Sequence, residues 1–162
     1  MEKVAQKKQR PKKIAVVFVC TGNTCRSPVA ERAFKHFIKK QKKASLFKVS
    51  SCGLSAYEGS PMSNLSLEVL KSNKINAANH KARPLTDKLI KATDYFICMT
   101  GGHKAAMHGI NSVFTVAEIT GGVDVVDPYG GTRVEYDKMF EYINYAVAEI
   151  LSFIENHRSN PK

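Results

Sequence analysis

Two side chains suited to phosphate chemistry stand at the ends of one short polar segment, with five residues separating Cys20 from Arg26. The cysteine follows an apolar, β-branched run, and the segment leads into a stretch with helical spacing. A helix N-terminus, inward-turned amides and a guanidinium favour a thiolate, which is a nucleophile at neutral pH. A planar guanidinium also holds two phosphate oxygens at once. The pattern therefore predicts a nucleophile beside an anion site.

The segment is so short that its amide N–H groups must turn inward, as they do in anion-binding loops. Gly22 and Asn23 are residue types that tolerate positive φ, and Ser27 and Pro28 suit the N-cap and first position of a helix. The sequence lacks the lysine of a Walker A loop and has no G-x-G-x-x-G motif. We expect an anion to be bound by Thr21, Gly22, Asn23, Thr24, Cys25 and Arg26.

A carboxylate that could move a proton follows much later in the chain. Asp127 lies in a long loop after the last expected strand, and Pro128 fixes its backbone. Loops at the carboxyl ends of parallel strands reach one edge of the sheet, which is the edge where Cys20 is expected. A thiolate that attacks phosphorus needs an acid to protonate the departing atom. Asp127 is the candidate for that acid, and Asp124 is an alternative.

Composition favours a single globular domain. The chain has 162 residues, 43% hydrophobic content and a formal net charge of +11. Its length and hydrophobic content suffice for one core but not for two ordinary domains. We expect a flexible basic tail over 1–12, one domain over 13–158 and a disordered end over 159–162. Four cysteines without a C-x-x-C pair argue against a zinc site or a disulfide framework. No apolar stretch suits a membrane span or a secretory signal, so a cytoplasmic protein without membrane contact is expected.

Hydrophobic periodicity alternates between strands and helices along the chain. Strands are predicted over 14–19, 46–51, 94–99 and 113–116. Helices are predicted over 27–43, 62–71, 85–91 and 136–154, with a short basic helix after Gly102. This order predicts a three-layer α/β/α sandwich with a four-stranded parallel sheet.

Cys-(x)5-Arg-Ser-Pro at the end of the first strand, followed far downstream by Asp127-Pro128-Tyr129-Gly130-Gly131, resembles the low-molecular-weight protein tyrosine phosphatase family. Segments 80–86 and 99–104 resemble that family in the same order. The resemblance implies strand order 2-1-3-4, Cys20 as nucleophile, Arg26 as phosphate clamp, and Asp127 as acid and then base. It implies phosphorylated proteins as substrates, inorganic phosphate as product, and no metal or cofactor.

The resemblance also implies supporting roles. Ser27 would hydrogen-bond the thiolate, Asn23 would fix the loop, and His80 would hydrogen-bond to Asn23. Ser51, at the end of the second predicted strand, is counted with these supporting residues. His103 and His108 are expected to have surface roles. The basic tail has no interleaved aromatic residues, so nucleic acid is not expected as a partner.

Substrate choice is expected to depend on Thr24, Tyr57, Tyr129 and Gly130. The family's tyrosine-directed members usually carry an aliphatic residue at the position of Thr24 and a second tyrosine at that of Gly130. Both departures resemble the protein arginine phosphatase branch, because a threonine hydroxyl accepts a hydrogen bond from a guanidinium. Tyr57 suits a phosphotyrosine ring instead. We expect phosphoarginine to be favoured, with phosphotyrosine as the alternative.

Two other function classes compete with a phosphatase. An arsenate reductase of this fold needs two further cysteines on a mobile segment, whereas only Cys98 occurs there, inside an expected strand. A non-catalytic phosphoprotein-binding module would need neither Cys20 nor Asp127. Cys25 could also capture an oxidised Cys20 as a reversible disulfide, or could simply pack under the loop.

Overall fold

The computed structural model describes residues 10–160. Its strands are β1 (Ile14–Cys20), β2 (Phe47–Gly53), β3 (Tyr95–Cys98) and β4 (Val113–Thr115). Its α-helices are α1 (Arg26–Lys40), α2 (Asn64–Ser72), α3 (Asp87–Ala92), α4 (Gly101–Ala106), α5 (Val116–Thr120) and α6 (Arg133–Ser159). A 3₁₀ turn over Ala44–Leu46 precedes β2.

The four strands form one parallel sheet in the order β2-β1-β3-β4, which confirms the predicted topology. β1 is central, and all seven of its residues are buried. This explains its unbroken apolar sequence, because a central parallel strand is covered on both faces. Cys20 is the last residue of β1 and pairs in register with Gly53 of β2.

Helices cover both faces of the sheet, so the three-layer architecture is confirmed. Val16 and Phe18 of β1 point into the larger core, which is packed by α1, α2 and α6. Val17 and Val19 point into a smaller core on the other face. In the larger core, Phe34 of α1 packs edge to face on Phe18, with ring centroids 5.6 Å apart.

Several helix boundaries differ from the predictions. α1 begins at Arg26, so the prediction that Ser27 and Pro28 are the N-cap and first helical residue is wrong. Ser27 instead turns its hydroxyl inward to Cys20. α1 ends at Lys40, short of the predicted Lys43, and α2 begins at Asn64, where the Ser63 hydroxyl caps it by accepting from Ser66 N.

The sequence prediction missed α5 and placed α6 too late. Thr115 and Glu118 exchange hydrogen bonds between side chain and backbone, a capping box that ends β4 and starts α5 directly. Glu135 accepts a hydrogen bond from the Thr132 N–H at 2.7 Å, and α6 begins at Arg133. A short element with strong caps has no long hydrophobic period, so periodicity does not reveal it.

The predicted basic tail falls mostly on residues 1–9, which lie outside the described residues, as do 161–162 of the predicted disordered end. Ser159, the first residue of that end, belongs to α6. Within the described residues, no helix combines the length and apolar character needed to cross a bilayer.

Candidate active site

Cys20 lies at the carboxyl edge of the sheet, where the chain leaves β1 and turns through residues 21–25 into α1. Three backbone hydrogen bonds attach this part of the chain to the segment after β2: Leu54 N donates to Cys20 O at 3.0 Å, Ser55 N to Thr21 O at 2.9 Å and Ser63 N to Thr24 O at 2.9 Å. A loop fixed to a central strand and a neighbouring segment is a rigid platform for chemistry.

The Cys20 sulfur is nearly enclosed, and the residue is 3% exposed. Its Sγ lies 2.9 Å from Ser27 Oγ and accepts a hydrogen bond from Asn23 N at 3.3 Å. The N-terminus of α1, which begins six residues after Cys20, adds a positive dipole end.

Asn23 is the centre of the loop's hydrogen-bond network. It is completely buried and adopts the left-handed conformation, with φ 55°. Its side-chain amide donates to Ser27 Oγ at 2.8 Å and to Ser51 Oγ at 2.9 Å. Its Oδ1 accepts from Arg83 N at 3.1 Å, and its carbonyl lies 2.7 Å from His80 Nε2. These four contacts fix both the side chain and the backbone.

His80 and Ser51 link this network to other elements. Because a carbonyl only accepts, Nε2 of His80 carries a hydrogen and donates to Asn23. Burial lowers the pKa of His80 from its ordinary value, with the Asn23 hydrogen bond opposing that shift. The Ser51 hydroxyl donates at 3.1 Å to the buried Glu31 carboxylate, which the cation of Lys35 approaches to 3.2 Å.

Gly53 has a structural role that the sequence analysis missed. A Cβ at this position would lie 2.5 Å from Thr21 O and 2.9 Å from Asn23 N, so any side chain would push the loop away. Gly53 is not among the residues that the sequence predicts for the site. Its pairing opposite Cys20 becomes visible only once the register is known.

Arg26 spans the cleft from the start of α1. The residue is 6% exposed; its Nη1 donates to the Val125 carbonyl at 3.2 Å, and its Nη2 lies 3.6 Å from Asp127 Oδ2. Asp127 is held by its own turn, because its Oδ1 accepts from Tyr129 N at 3.1 Å. Asp124, the alternative acid, accepts from Gly101 N at the start of α4.

These groups surround one cleft of about 230 Å³. It is lined by Cys20, Thr21, Gly22, Thr24, Cys25, Arg26, Asp127 and Tyr129. The buried Asn23 supports the loop from behind. Tyr57, a predicted specificity residue, is not among the lining residues and is 84% exposed. Gly130 also lies outside the lining and adopts φ 78°, a conformation that suits glycine.

Cys25 is the last residue of the loop, directly before α1. Its Sγ donates to Ser63 Oγ at 3.3 Å and lies 3.5 Å from the hydroxyl of Tyr136. Burial, reinforced by the Cys25 hydrogen bond, raises the pKa of Tyr136 to about 12, so this phenol stays neutral. Both loop thiols line the same cleft.

The predicted surface role of His103 is wrong. The residue is 8% exposed, and its Nε2 lies 2.9 Å from the Thr21 hydroxyl inside the site. His108 is exposed, as predicted. The signal that could have located His103 is its position just after β3, the strand next to β1, so that it shares the sheet edge with Cys20.

Metal ligands are not grouped at the site. Within residues 10–160, no three His, Cys, Asp or Glu side chains are placed to hold a metal ion. A larger cleft of about 640 Å³ lies along α1, but its lining contains no thiol or carboxylate. Of the two clefts, only the one around Cys20 has both a thiol and a carboxylate in its lining.

Comparison with known proteins agrees with this geometry. The family model described as low molecular weight phosphotyrosine protein phosphatase matches residues 15–160. A protein-arginine-phosphatase of Bacillus subtilis is 38% identical over 150 residues, covering 88% of this chain and 98% of that protein. The Staphylococcus haemolyticus low molecular weight protein-tyrosine-phosphatase PtpB is 32% identical, covering 83% and 96%.

Solved structures show the same relationship. A crystal structure of a YwlE mutant from B. subtilis has a TM-score of 0.81 and 32% identity, covering 88% of this chain and 99% of that one. YwlE arginine phosphatase with a phosphorylated active-site serine, introduced in place of a cysteine, has a TM-score of 0.82, 32% identity and coverage of 90% and 99%. With its matching sheet order and the loop that joins Cys20 to Arg26, this chain belongs to the low molecular weight phosphotyrosine protein phosphatase family.

Proposed function

We propose that this protein is a cysteine-dependent protein phosphatase that acts through a thiophosphoryl-cysteine intermediate and prefers phosphoarginine. The observation that carries the proposal is the convergence of Cys20, Arg26 and Asp127 on one cleft. A nucleophile, a phosphate clamp and a proton donor are the three groups that such a reaction needs.

In the first step, the Cys20 thiolate attacks phosphorus, an S–P bond forms and the bond to the leaving atom breaks. The loop amides and Arg26 stabilise the negative charge spread over the phosphoryl oxygens. Asp127 gives its proton to the departing nitrogen or oxygen. Its exposed carboxylate, at the mouth of the cleft beside Arg26, can reach the leaving group of a protein substrate.

In the second step, Asp127 takes a proton from water while the water oxygen attacks phosphorus. The S–P bond breaks, the thiolate is regenerated and inorganic phosphate leaves. Atoms and protons are conserved over the two steps, with water as the only co-reactant. In this scheme Ser27 stabilises the thiolate by a hydrogen bond, and Asn23, His80 and Ser51 hold the loop in its binding conformation.

Thr24 supports the preference for phosphoarginine. It lines the cleft, where its hydroxyl can accept a guanidinium N–H that an aliphatic side chain could not satisfy. Relatives named protein-arginine-phosphatase occur in B. subtilis and Geobacillus stearothermophilus, at 38% and 35% identity. A glycine at position 130 leaves the cleft without a second aromatic wall, which favours a narrow planar substrate over a ring.

Phosphotyrosine is the alternative substrate, and Tyr129 is the observation that favours it. This ring lines the cleft and could pack on a substrate phenyl ring. The exposed Tyr57 contributes less to that argument, because it lies outside the cleft lining.

Two peptides that differ only at the phosphorylated residue, phosphoarginine in one and phosphotyrosine in the other, test the proposal by their kcat/KM values. We expect both to release inorganic phosphate, phosphoarginine with the higher kcat/KM, and Cys20→Ser to release none from either. A preference for phosphotyrosine would overturn the substrate assignment alone. Failure to release phosphate from either peptide would overturn the phosphatase assignment.

A further inference from the structure

A chain of three polar side chains runs from the start of α4 into the cleft. Thr100 Oγ1 lies 3.0 Å from His103 Nδ1, and His103 Nε2 lies 2.9 Å from Thr21 Oγ1. His103 is buried, whereas Thr21 is exposed and lines the cleft one residue after the nucleophile. Both ring nitrogens of His103 are therefore used to connect a helix N-cap to the phosphate loop.

The N-cap is compatible with one direction for both hydrogen bonds, in which Thr100 donates to His103 and His103 donates to Thr21. Thr100 Oγ1 already accepts from the His103 backbone N–H at 3.2 Å, so its own hydrogen is available to donate to Nδ1. An imidazole that accepts at Nδ1 carries its hydrogen on Nε2 and donates it to Thr21 Oγ1. In that tautomer the Thr21 hydroxyl keeps its own hydrogen free for a group bound in the cleft that Thr21 lines.

We propose that Thr21 donates a hydrogen bond from its hydroxyl to a phosphoryl oxygen of the substrate, and that His103 is the residue that positions this donor. The proposal rests on the phosphatase function proposed above. It adds a side-chain donor to the loop amides and Arg26. A hydrogen bond to a charged oxygen in an enclosed site is stronger than one between neutral groups.

The charges around His103 fit this role. Arg26 faces it from α1, and Asp124 and Asp127 face it from the loop before α6. Burial, followed by the Arg26 cation, lowers the pKa of His103, while the two carboxylates oppose the shift. The imidazole is thus neutral at neutral pH, as acceptance at Nδ1 requires.

A double-mutant cycle tests the inference, with inorganic phosphate as the probe in calorimetry and the phosphoarginine peptide in kinetics. We expect Thr21→Val and His103→Leu each to weaken phosphate binding and lower kcat/KM about tenfold, and the double variant to lose about tenfold rather than about a hundredfold. Thr21→Ser should recover most of the loss seen with Thr21→Val. His108→Leu, an exposed histidine near α4, is the control and should behave as the wild type.

Additive losses in the double variant would overturn the role of His103. Unchanged phosphate affinity in Thr21→Val would overturn the role of the hydroxyl, even if His103→Leu did not fold. Phosphate binding is measured without turnover, so the inference is tested independently of the activity. A wild-type protein that binds phosphate but releases none from either peptide would contradict the proposed function alone.

Discussion

Arg26 Nη2 lies 3.6 Å from Asp127 Oδ2, an ion pair that joins the first turn of α1 to the loop before α6. The arginine side chain is 8% exposed and the aspartate side chain 54% exposed, so a buried cation meets a carboxylate at the mouth of the cleft. In the proposed reaction a phosphoryl group competes with Asp127 for this guanidinium. Substrate binding then frees this carboxyl group to take up the proton that it gives to the leaving atom.

Asp127→Asn should reduce kcat by about 10²–10⁴-fold, because the amide cannot give a proton to the leaving atom. Rapid-quench kinetics on the phosphotyrosine peptide would measure the loss in the first step. Asp124→Asn is the matched control, since Asp124 lies in the same loop but is engaged at the start of α4. A larger loss in Asp124→Asn than in Asp127→Asn would show that the wrong carboxylate was assigned.

Thr24→Ile should change substrate preference, because isoleucine offers a methyl surface where the guanidinium needs an acceptor. We expect kcat/KM for the phosphoarginine peptide to fall by about tenfold or more, while that for phosphotyrosine holds or rises. Thr24→Ser, which keeps the hydroxyl, is the control. Equal losses on the two peptides would contradict a specificity role for Thr24.

Cys25→Ser should abolish recovery from mild peroxide treatment. Peroxide converts the Cys20 thiolate to a sulfenic acid, and a second thiol lining the same cleft can attack that sulfur, forming a disulfide and releasing water. A thiol reductant then restores activity in the wild type. Cys98→Ala is the control, because burial raises the pKa of the Cys98 thiol to about 12 and keeps it inert. Unchanged recovery in Cys25→Ser would refute this protective role.

The free energy of unfolding should decrease as pH falls below 6.5. Burial is the largest cause that lowers the pKa of both His80 and His103 from the ordinary value of 6.5. As pH falls through 6.5 toward those lower values, the unfolded chain binds protons that the folded protein does not, so stability is lost. Denaturant titrations of His80→Gln at several pH values should show a flatter dependence than the wild type, and the exposed His108→Gln should not. An unchanged slope in His80→Gln would contradict this linkage.

The parts of the fold that were predicted correctly are those with local patterns in the sequence. The apolar run of β1, the alternation of strands and helices, and the fixed spacing of Cys20 and Arg26 all depend on local residue type. Sheet order then follows from the few topologies that right-handed crossovers permit, together with the family resemblance.

The parts that were missed depend on contacts between distant residues. His103 reaches Thr21 across 82 positions, and the Gly53 backbone lies against the loop only because β1 and β2 pair in one register. Similarly, Arg83 N binds Asn23 Oδ1 from a segment with no regular structure. A single sequence does not show which distant residues come into contact in the folded protein.

The most direct test of the account is to locate the phosphate during turnover. Asp127→Ala should still form the S–P bond with an aryl phosphate whose phenolate leaves without a proton, but should hydrolyse that bond slowly because the base is missing. Acid quenching followed by peptide mass spectrometry is expected to find the phosphate on Cys20, and Cys20→Ala, which has no nucleophilic atom, should remove that signal together with turnover. Phosphate on another residue, or undiminished turnover by Cys20→Ala, would contradict the central claim that Cys20 is the nucleophile.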